Sequence, residues 1–178
     1  MDLFQLLLEG AVFSQNSFEP AAREPRPGFA VALEIHVPER GGALADEVLE
    51  EIPSEVVIRI VDFHAEATSE KIAFGYYLDG RVSAVIGTHT HVQTADERIL
   101  TGGTAYITDV GMTGPLDSVI GVKKEQIQRR FITGIPERMS VASGSRMINA
   151  VMVDINDKDG KAEGIERLRM VFEDKEES

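Results

Sequence analysis

Three histidines lie where apolar segments of the sequence give way to polar ones. His64 follows residues 56–63 (VVIRIVDF), and His89 and His91 follow residues 82–87 (VSAVIG). His89 and His91 are separated by one residue, so their side chains share a face if the backbone is extended. Neutral imidazole is the commonest metal ligand in proteins. The spacing fits a metal site, and it fits equally a structural role in which the rings hydrogen-bond loop carbonyls.

Carboxylates and glycines near these histidines could support such a site. A ligating imidazole needs a hydrogen-bond acceptor for its other ring nitrogen, and Asp62, Glu66 and Asp109 are the candidates. Carboxylates at strand ends also commonly close turns. Gly111 and Gly114 are predicted to be turn residues with positive φ.

The segments that carry the histidines predict a layered α/β fold. Apolar, β-branched runs at residues 56–63, 82–87 and 104–110 predict strands, each followed by a polar loop. In open α/β sheets, ligands gather outside the carboxyl ends of the strands. The three histidines fall at such ends, so the predicted fold is able to bring them together.

Helical and alternating patterns complete the C-terminal part. Helices are predicted at residues 69–78, with Ser69 as a side-chain cap, and at residues 123–131. Alternation in the tail predicts antiparallel strands at 139–143 (MSVAS), 148–155 (INAVMVDI) and 163–172 (EGIERLRMVF).

The N-terminal segment, residues 1–55, gives weaker signals. Residues 14–28 contain three prolines and are predicted to form a loop. Residues 29–36 could form a strand and residues 43–52 a helix. His36 lies in this segment, and we interpret it as structural.

Charge and composition exclude several classes of partner. The chain has 18 basic and 30 acidic residues, so its net charge of -12 repels nucleic-acid backbones and anionic membranes. A metal ion could still attract a small phosphorylated substrate locally. The absence of cysteine leaves histidine and carboxylates as metal ligands and fits a cytoplasmic protein. The apolar run at residues 3–13 contains Glu9 and is too short to span a bilayer, which takes about 20 residues.

Three strings, in this order, resemble one enzyme family. Residues 62–71 (DFHAEATSEK), 87–96 (GTHTHVQTAD) and 105–115 (AYITDVGMTGP) are similar to bacterial calcineurin-like metallophosphoesterases of the YmdB type. The resemblance runs from about residue 60 to about residue 155. It implies a metallophosphoesterase-like sheet with flanking helices and a C-terminal antiparallel strand pair, and hydrolysis of 2',3'-cyclic nucleotides or related phosphodiesters.

The resemblance also implies a dinuclear iron or manganese centre. His64 and His89 would bind one ion, and His91 would bind the other. Two ions of this kind activate a water molecule and stabilise the phosphate oxygens during in-line displacement. Residues 56–178 would then form the C-terminal part of a metallophosphoesterase domain.

The sequence departs from the family in its N-terminal part. The family's G-D motif, its N-G-E-N string with a bridging glutamate and its G-N-H string with the acid histidine are all absent. Three histidines fall short of the usual ligand number, so we expect weak metal binding and impaired hydrolysis. The alternatives are a noncatalytic binding or assembly module and a half-site that a partner chain completes. We also expect the chain to form a homo-oligomer, because missing strands would expose apolar surface.

Overall fold

The fold alternates strands and helices before ending in a long strand pair. The computed structural model describes residues 30–36 and 41–174. In chain order the elements are β1 Ala30–His36, α1 Gly41–Glu51, β2 Ile58–His64, α2 Thr68–Leu78, β3 Ala84–Thr88, β4 Arg98–Ile99, β5 Ala105–Ile107, β6 Gly114–Pro115, α3 Lys124–Thr133, β7 Arg146–Ile155 and β8 Ala162–Phe172. The mixed α/β class expected from the sequence is confirmed. The expected loop at residues 14–28 lies outside the described residues.

The first sheet has five strands in the order β1-β2-β3-β5-β4. Strands β1, β2, β3 and β5 are parallel, and only the short β4 runs antiparallel to its neighbour. His64 pairs with Thr88 at the end of the β2–β3 register. Because parallel strands end at one edge of the sheet, the chain segments after β2 and β3 leave side by side.

The first sheet is covered on both faces, which explains its apolar strands. One face packs against α1 and α2, and the Phe63 and Phe74 rings stack there with centroids 4.2 Å apart. The other face packs against the second sheet through the apolar residues Ala84, Ile86, Ile107, Val110, Val151, Val153 and Ile165. The layers are therefore helices, five-stranded sheet and second sheet.

The second sheet is antiparallel, in the order β6-β7-β8. Strands β7 and β8 pair over ten positions with a bulge at Asp154/Ile155, which confirms the predicted C-terminal pair. The strand predicted at residues 139–143 is wrong. That segment makes only an isolated bridge between Val141 and Val122, because no extended neighbour in the described part offers it a ladder of hydrogen bonds.

Two predicted local features are also wrong. Helix α2 begins at Thr68 with Ala67 as its N-cap and no side-chain cap hydrogen bond, so Ser69 lies inside the first turn. Gly114 pairs with Met147 in β6 instead of forming a turn with positive φ. Gly111 does have a positive φ, 81°.

Elements β1 and α1 belong to the same layers as the rest of the described chain. β1 pairs with β2, and Ala45 of α1 lies in the core with Phe63 and Phe74. The division of the chain at residue 55 stays a prediction. Within the described residues, no helix is both long and apolar enough to cross a membrane.

Candidate metal site at the carboxyl ends of the strands

Two of the predicted ligands meet at the edge of the first sheet. His64 is the last residue of β2, and His89 follows the last residue of β3. Nδ1 of His89 lies 3.0 Å from Nε2 of His64. The two rings are nearly perpendicular, with centroids 4.9 Å apart. The parallel register of β2 and β3 thus brings two imidazole nitrogens within hydrogen-bonding distance of each other.

A threonine and an aspartate orient His64. The hydroxyl of Thr88 donates to Oδ1 of Asp62 at 3.0 Å, and Nδ1 of His64 lies 3.1 Å from the same hydroxyl oxygen. Because the carboxylate only accepts, the hydroxyl proton points to Asp62, and Thr88 accepts from the Nδ1–H of His64. The lone pair of His64 is therefore on Nε2, facing His89. The support expected from Asp62 reaches the histidine through Thr88, which lies in the string at residues 87–96 but was not predicted to be a site residue.

The geometry of the histidine pair fits a shared metal ion. Two ligand atoms that each lie about 2.1 Å from one ion, with an angle of about 90° at the ion, lie about 3.0 Å from each other. Nε2 of His64 and Nδ1 of His89 are separated by 3.0 Å. Without an ion, a single N–H of His89 can bridge the same gap as a hydrogen bond. Among the described residues, no group of three or more histidine or carboxylate side chains is arranged to hold a metal. The pair would supply at most two ligands to an ion.

His91 does not join this pair. Extended backbone would place His89 and His91 on one face, as their spacing predicts, but both have positive φ, 114° and 64°. The loop turns sharply at Thr90, whose hydroxyl bonds with the backbone of Val92. Left-handed backbone costs about 1–2 kcal/mol per non-glycine residue, so other contacts must hold the turn.

A buried ion pair holds residues 89–93, the histidine loop, in place. Nζ of Lys71 donates to Oδ2 of Asp109 at 3.1 Å and to the carbonyl of Thr88 at 3.0 Å. The same Oδ2 accepts the backbone N–H of Thr90 at 2.8 Å, and Oδ1 accepts that of Gly111 at 2.9 Å. Asp109 thus supports the site through the backbone between the two histidines, and the expected bond from its carboxylate to an imidazole is not formed.

The electrostatics of Asp109 reflect these bonds. Burial raises the pKa of its carboxyl, but the hydrogen bonds from Thr90, Gly111 and Lys71 outweigh burial and lower the pKa below its usual value. Lys71 could have been found from the sequence, because it shares the buried face of α2 with Phe74 and Leu78 at helical spacing.

Close packing leaves room only for glycine at two points near the loop. A Cβ at Gly87 would lie 1.8 Å from the carbonyl oxygen of Thr108, and one at Gly111 would lie 2.7 Å from the backbone nitrogen of Gln93. The amide of Gln93 in turn donates to the carbonyl of Ala150 in β7 at 3.0 Å. The histidine loop is therefore hydrogen-bonded to both sheets.

The remaining predicted residues add no described contact to the histidine pair. Glu66 is exposed and makes no hydrogen bond to a histidine within the described chain. His36 ends β1 beside His64 in the backbone register, but its side chain lies outside what the structure describes. Asp96 ends the string at residues 87–96 but was not predicted to be a site residue, and it accepts hydrogen bonds from Thr94 and Thr108.

A cavity of about 530 Å³ is lined by His91 and Gln93 of the loop and by Asn149 and Arg169 of the second sheet. It lies between the histidine loop and the polar end of the second sheet. The site therefore combines a pair of imidazoles with a neighbouring cavity.

Comparison with known proteins confirms the family resemblance. The family model for YmdB-like proteins matches residues 36–168, which include all three predicted ligands. A 2',3'-cyclic-nucleotide 2'-phosphodiesterase of Bacillus subtilis (strain 168) is 56% identical over 124 residues, which are 70% of this chain and 47% of that protein.

Two crystal structures share the fold. A novel phosphatase from Mycoplasma pneumoniae superposes with a TM-score of 0.72 and 39% identity, over 82% of this chain and 53% of that one. A hypothetical protein from Thermus thermophilus gives a TM-score of 0.71 and 38% identity, over 80% and 56%. The chain spans about half the length of the relatives that it matches. Because the family match covers most of the chain and its histidine strings, the chain belongs to the YmdB-like protein family.

Proposed function

We propose that this chain takes part in metal-dependent hydrolysis of a phosphodiester, with a cyclic nucleotide as the substrate class. The observation that carries the proposal is the 3.0 Å approach of His64 Nε2 and His89 Nδ1, on a family whose Bacillus member is a 2',3'-cyclic-nucleotide 2'-phosphodiesterase. When bound, two divalent iron or manganese ions would supply activation of water and charge stabilisation at phosphorus.

The side chains of this chain orient the centre. We assign His64 and His89 to one ion and His91, beyond the turn at Thr90, to the other. Thr88 keeps the lone pair of His64 on Nε2 by accepting from Nδ1. Lys71 and Asp109 hold the loop between His89 and His91 and keep both imidazoles in place.

The activity of this chain alone is expected to be low. The sequence has no counterpart of the family's bridging glutamate or acid histidine. Two close cations without a bridging carboxylate repel each other. General acid–base catalysis contributes about 10²–10⁴-fold, so losing the acid removes a factor of that order when water alone protonates the leaving oxygen.

A second candidate is an assembly module or half-site that another chain completes. The observation that favours it is exposed apolar surface on the long strand pair, where Met152, Met170, Val171 and Phe172 are each about half exposed. Such surface is typical of an interface. This candidate makes the protein a homo-oligomer or a partner of a second polypeptide. The lack of cysteine supports a cytoplasmic location for either candidate.

Hydrolysis of bis(p-nitrophenyl) phosphate with Mn²⁺ or Fe²⁺ tests the proposal. The wild-type chain is compared with a His89→Ala/His91→Ala double variant, and circular dichroism checks that both fold. Metal-dependent turnover that the double variant loses supports the proposal. Equal turnover in both would overturn the ligand assignment. No turnover in either, at a concentration where calorimetry detects no Mn²⁺ binding, favours the assembly module.

A further inference from the structure

Residues 116–145, which we call the α3 arm, are held in shape by hydrogen bonds among themselves. The side chain of Gln126 accepts the N–H of Ser140 at 2.8 Å, and Arg129 donates to both carboxylate oxygens of Glu137 at 3.1 and 2.5 Å. Within the described residues, no hydrogen bond joins helix α3 to either sheet. The α3 arm therefore keeps its shape without packing against the rest of the fold.

Apolar side chains of the α3 arm lie exposed. Phe131 and Ile132, in the last turn of α3, are 85% and 83% exposed, and Val141 is 75% exposed. In the described part of the chain, no side chain of α3 is buried. A short helix is marginal in water by itself, because most helical stability in proteins comes from packing of an apolar face. The helix is therefore expected to pack against a surface that the described fold does not supply.

A strained turn in the α3 arm supports the same expectation. Val119 and Val122 hydrogen-bond to each other across Ile120 and Gly121, which both have positive φ, 46° and 95°. Such two-residue turns favour asparagine or glycine at the first position, and left-handed backbone costs about 1–2 kcal/mol for a residue with a side chain. Ile120 is nevertheless 54% exposed. An apolar side chain that is held outward at this cost indicates a contact with another surface.

The α3 arm carries positive charge on an acidic chain. Residues 123–138 contain five basic and two acidic residues, although the whole chain has 18 basic and 30 acidic ones. Arg129 is paired with Glu137, but Arg130 makes no ion pair within the described residues. The acidic remainder of the chain repels nucleic acids and anionic membranes. The complementary surface is therefore that of an acidic protein, and a second copy of this chain is one.

The open face of the strand pair β7–β8 combines apolar and acidic side chains. Met152, Met170 and Phe172 are each about half exposed, and the register places them on the face opposite Val153, which packs against the core. Glu166 pairs with Met152 in that register and makes no ion pair in the part of the chain that the structure describes. This face is therefore complementary to the α3 arm, which combines apolar side chains with a guanidinium.

The α3 arm does not cover this face within one molecule, because Phe131 and Ile132 remain exposed. Two copies related by a two-fold axis can each place the arm on the other's strand pair, which gives a closed dimer. Phenylalanine, methionine and arginine are enriched at the cores of protein interfaces. A stable interface takes about 800 Å² per partner, and a phenylalanine that is fully covered buries about 150–250 Å². Phe131 and Phe172 would therefore supply a sizeable share of that area.

We infer that the α3 arm of one copy of this chain docks on the open β7–β8 face of a second copy, and that the second copy does the same in return. Phe131 and Ile132 pack on the partner's Phe172 and its neighbouring methionines, and Arg130 pairs with the partner's Glu166. The inference rests on the assembly candidate, whose partner it identifies as a second copy of the chain. It is independent of the proposed hydrolysis.

Sedimentation equilibrium of the whole chain tests the inference. Phe131→Glu disrupts the arm and Met170→Glu disrupts the strand-pair face, while Tyr76→Glu is the matched control, because it changes an aromatic side chain of α2 that is 59% exposed. Each of the first two variants should raise the dissociation constant of the dimer about thirtyfold or more, as the loss of a central interface side chain predicts. The control should dimerise like the wild type, and circular dichroism checks that all three variants fold.

A mixture of the two disrupted variants tests the pairing of arm and face directly. A Phe131→Glu copy keeps its strand-pair face and a Met170→Glu copy keeps its arm, so a mixed dimer retains one of the two contacts. We expect an equimolar mixture to form heterodimers at a concentration where either variant alone is a monomer. Recovery by mixing would also show that both variants are folded.

The other outcomes would overturn the inference or separate it from the proposed function. A wild-type chain that stays monomeric at every concentration, a mixture that stays monomeric, or equal weakening by Tyr76→Glu would overturn it. Binding of a monomeric wild-type chain to phosphatidylglycerol vesicles, lost in Phe131→Glu, would overturn it in favour of a membrane surface. A dimer that depends on Phe131 in a chain without metal-dependent turnover would uphold the interface while the proposed hydrolysis fails. Turnover by a wild-type chain that is monomeric would do the reverse.

Discussion

Nζ of Lys71 lies 3.1 Å from Oδ2 of Asp109, and neither side chain is exposed to solvent beyond 1%. The same carboxylate oxygen accepts the N–H of Thr90, the residue between His89 and His91. Because one buried anion serves both the ion pair and the loop, the stability of the domain and the geometry of the histidines depend on the same contact.

Removing one member of the buried pair should strongly destabilise the protein. Lys71→Met leaves Asp109 charged and buried, and breaking a buried pair costs about 3–5 kcal/mol. Urea unfolding measures the loss. Asp117→Ala, which removes the exposed partner of Lys124, should leave the midpoint nearly unchanged. A Lys71→Met midpoint equal to that of the wild type would contradict the role given to the pair.

Replacing Thr88 should weaken metal binding without disrupting the fold. Thr88→Val keeps the shape but removes the hydroxyl that orients His64. Loss of such supporting contacts costs about 10–100-fold in metal affinity. Thr88→Ser keeps the hydroxyl and should bind Mn²⁺ like the wild type. Competition with a chelating dye measures the affinities, and equal binding by the valine and serine variants would show that the hydroxyl is not needed.

Low pH should lower the free energy of unfolding, because protonation of Asp96 removes a charge that stabilises the fold. Burial raises the pKa of this carboxyl, but the hydrogen bonds from Thr108 and Thr94, together with Arg98, lower it overall. A lowered folded-state pKa contributes stability that is present above the unfolded value of about 3.9 and is lost as pH falls toward the folded value.

The test of this effect is an Asp96→Asn variant unfolded in urea at several pH values. The variant should be less stable than the wild type near pH 6, and the difference should shrink as pH falls through about 4 toward 3. A stability difference that does not change with pH would show that the charge of Asp96 contributes nothing.

A methyl group at Gly87 should be far more damaging than one at Gly114. The added Cβ at Gly87 would lie 1.8 Å from the carbonyl oxygen of Thr108, whereas a Cβ at Gly114 meets no atom within 4 Å. Overpacking costs about 1–3 kcal/mol, and more where the obstructing atom is rigid backbone. Thermal unfolding of Gly87→Ala and Gly114→Ala compares them, and similar melting temperatures would contradict the packing of β3 against the segment after β5.

The elements of the fold could be read from the sequence because local patterns determine them. Strands β2 and β3 are apolar since both faces of their sheet are covered, and β7 and β8 alternate where one face is open. The segment at residues 139–143 also alternates, but a strand needs a partner, and periodicity does not report whether one is present.

The site was only partly predictable, because distant contacts shape it. The order of strands brings His64 and His89 together, as expected from their places at strand ends. His89 and His91 have positive φ, and Thr90 between them is hydrogen-bonded to Asp109, a residue 19 positions further along the chain. No local pattern reports such a bond, so an extended H-x-H was the natural but wrong expectation. Thr88 was missed because its role depends on register with Asp62.

Hydrogen bonds to both sheets constrain the position of the histidine loop. Asp109 anchors the loop to the first sheet through Thr90, and Gln93 anchors it to the second sheet through the carbonyl of Ala150. His91 lies between these two anchors. The position of His91 therefore depends on the spacing between the two sheets, because the residues on either side of it are hydrogen-bonded to different layers.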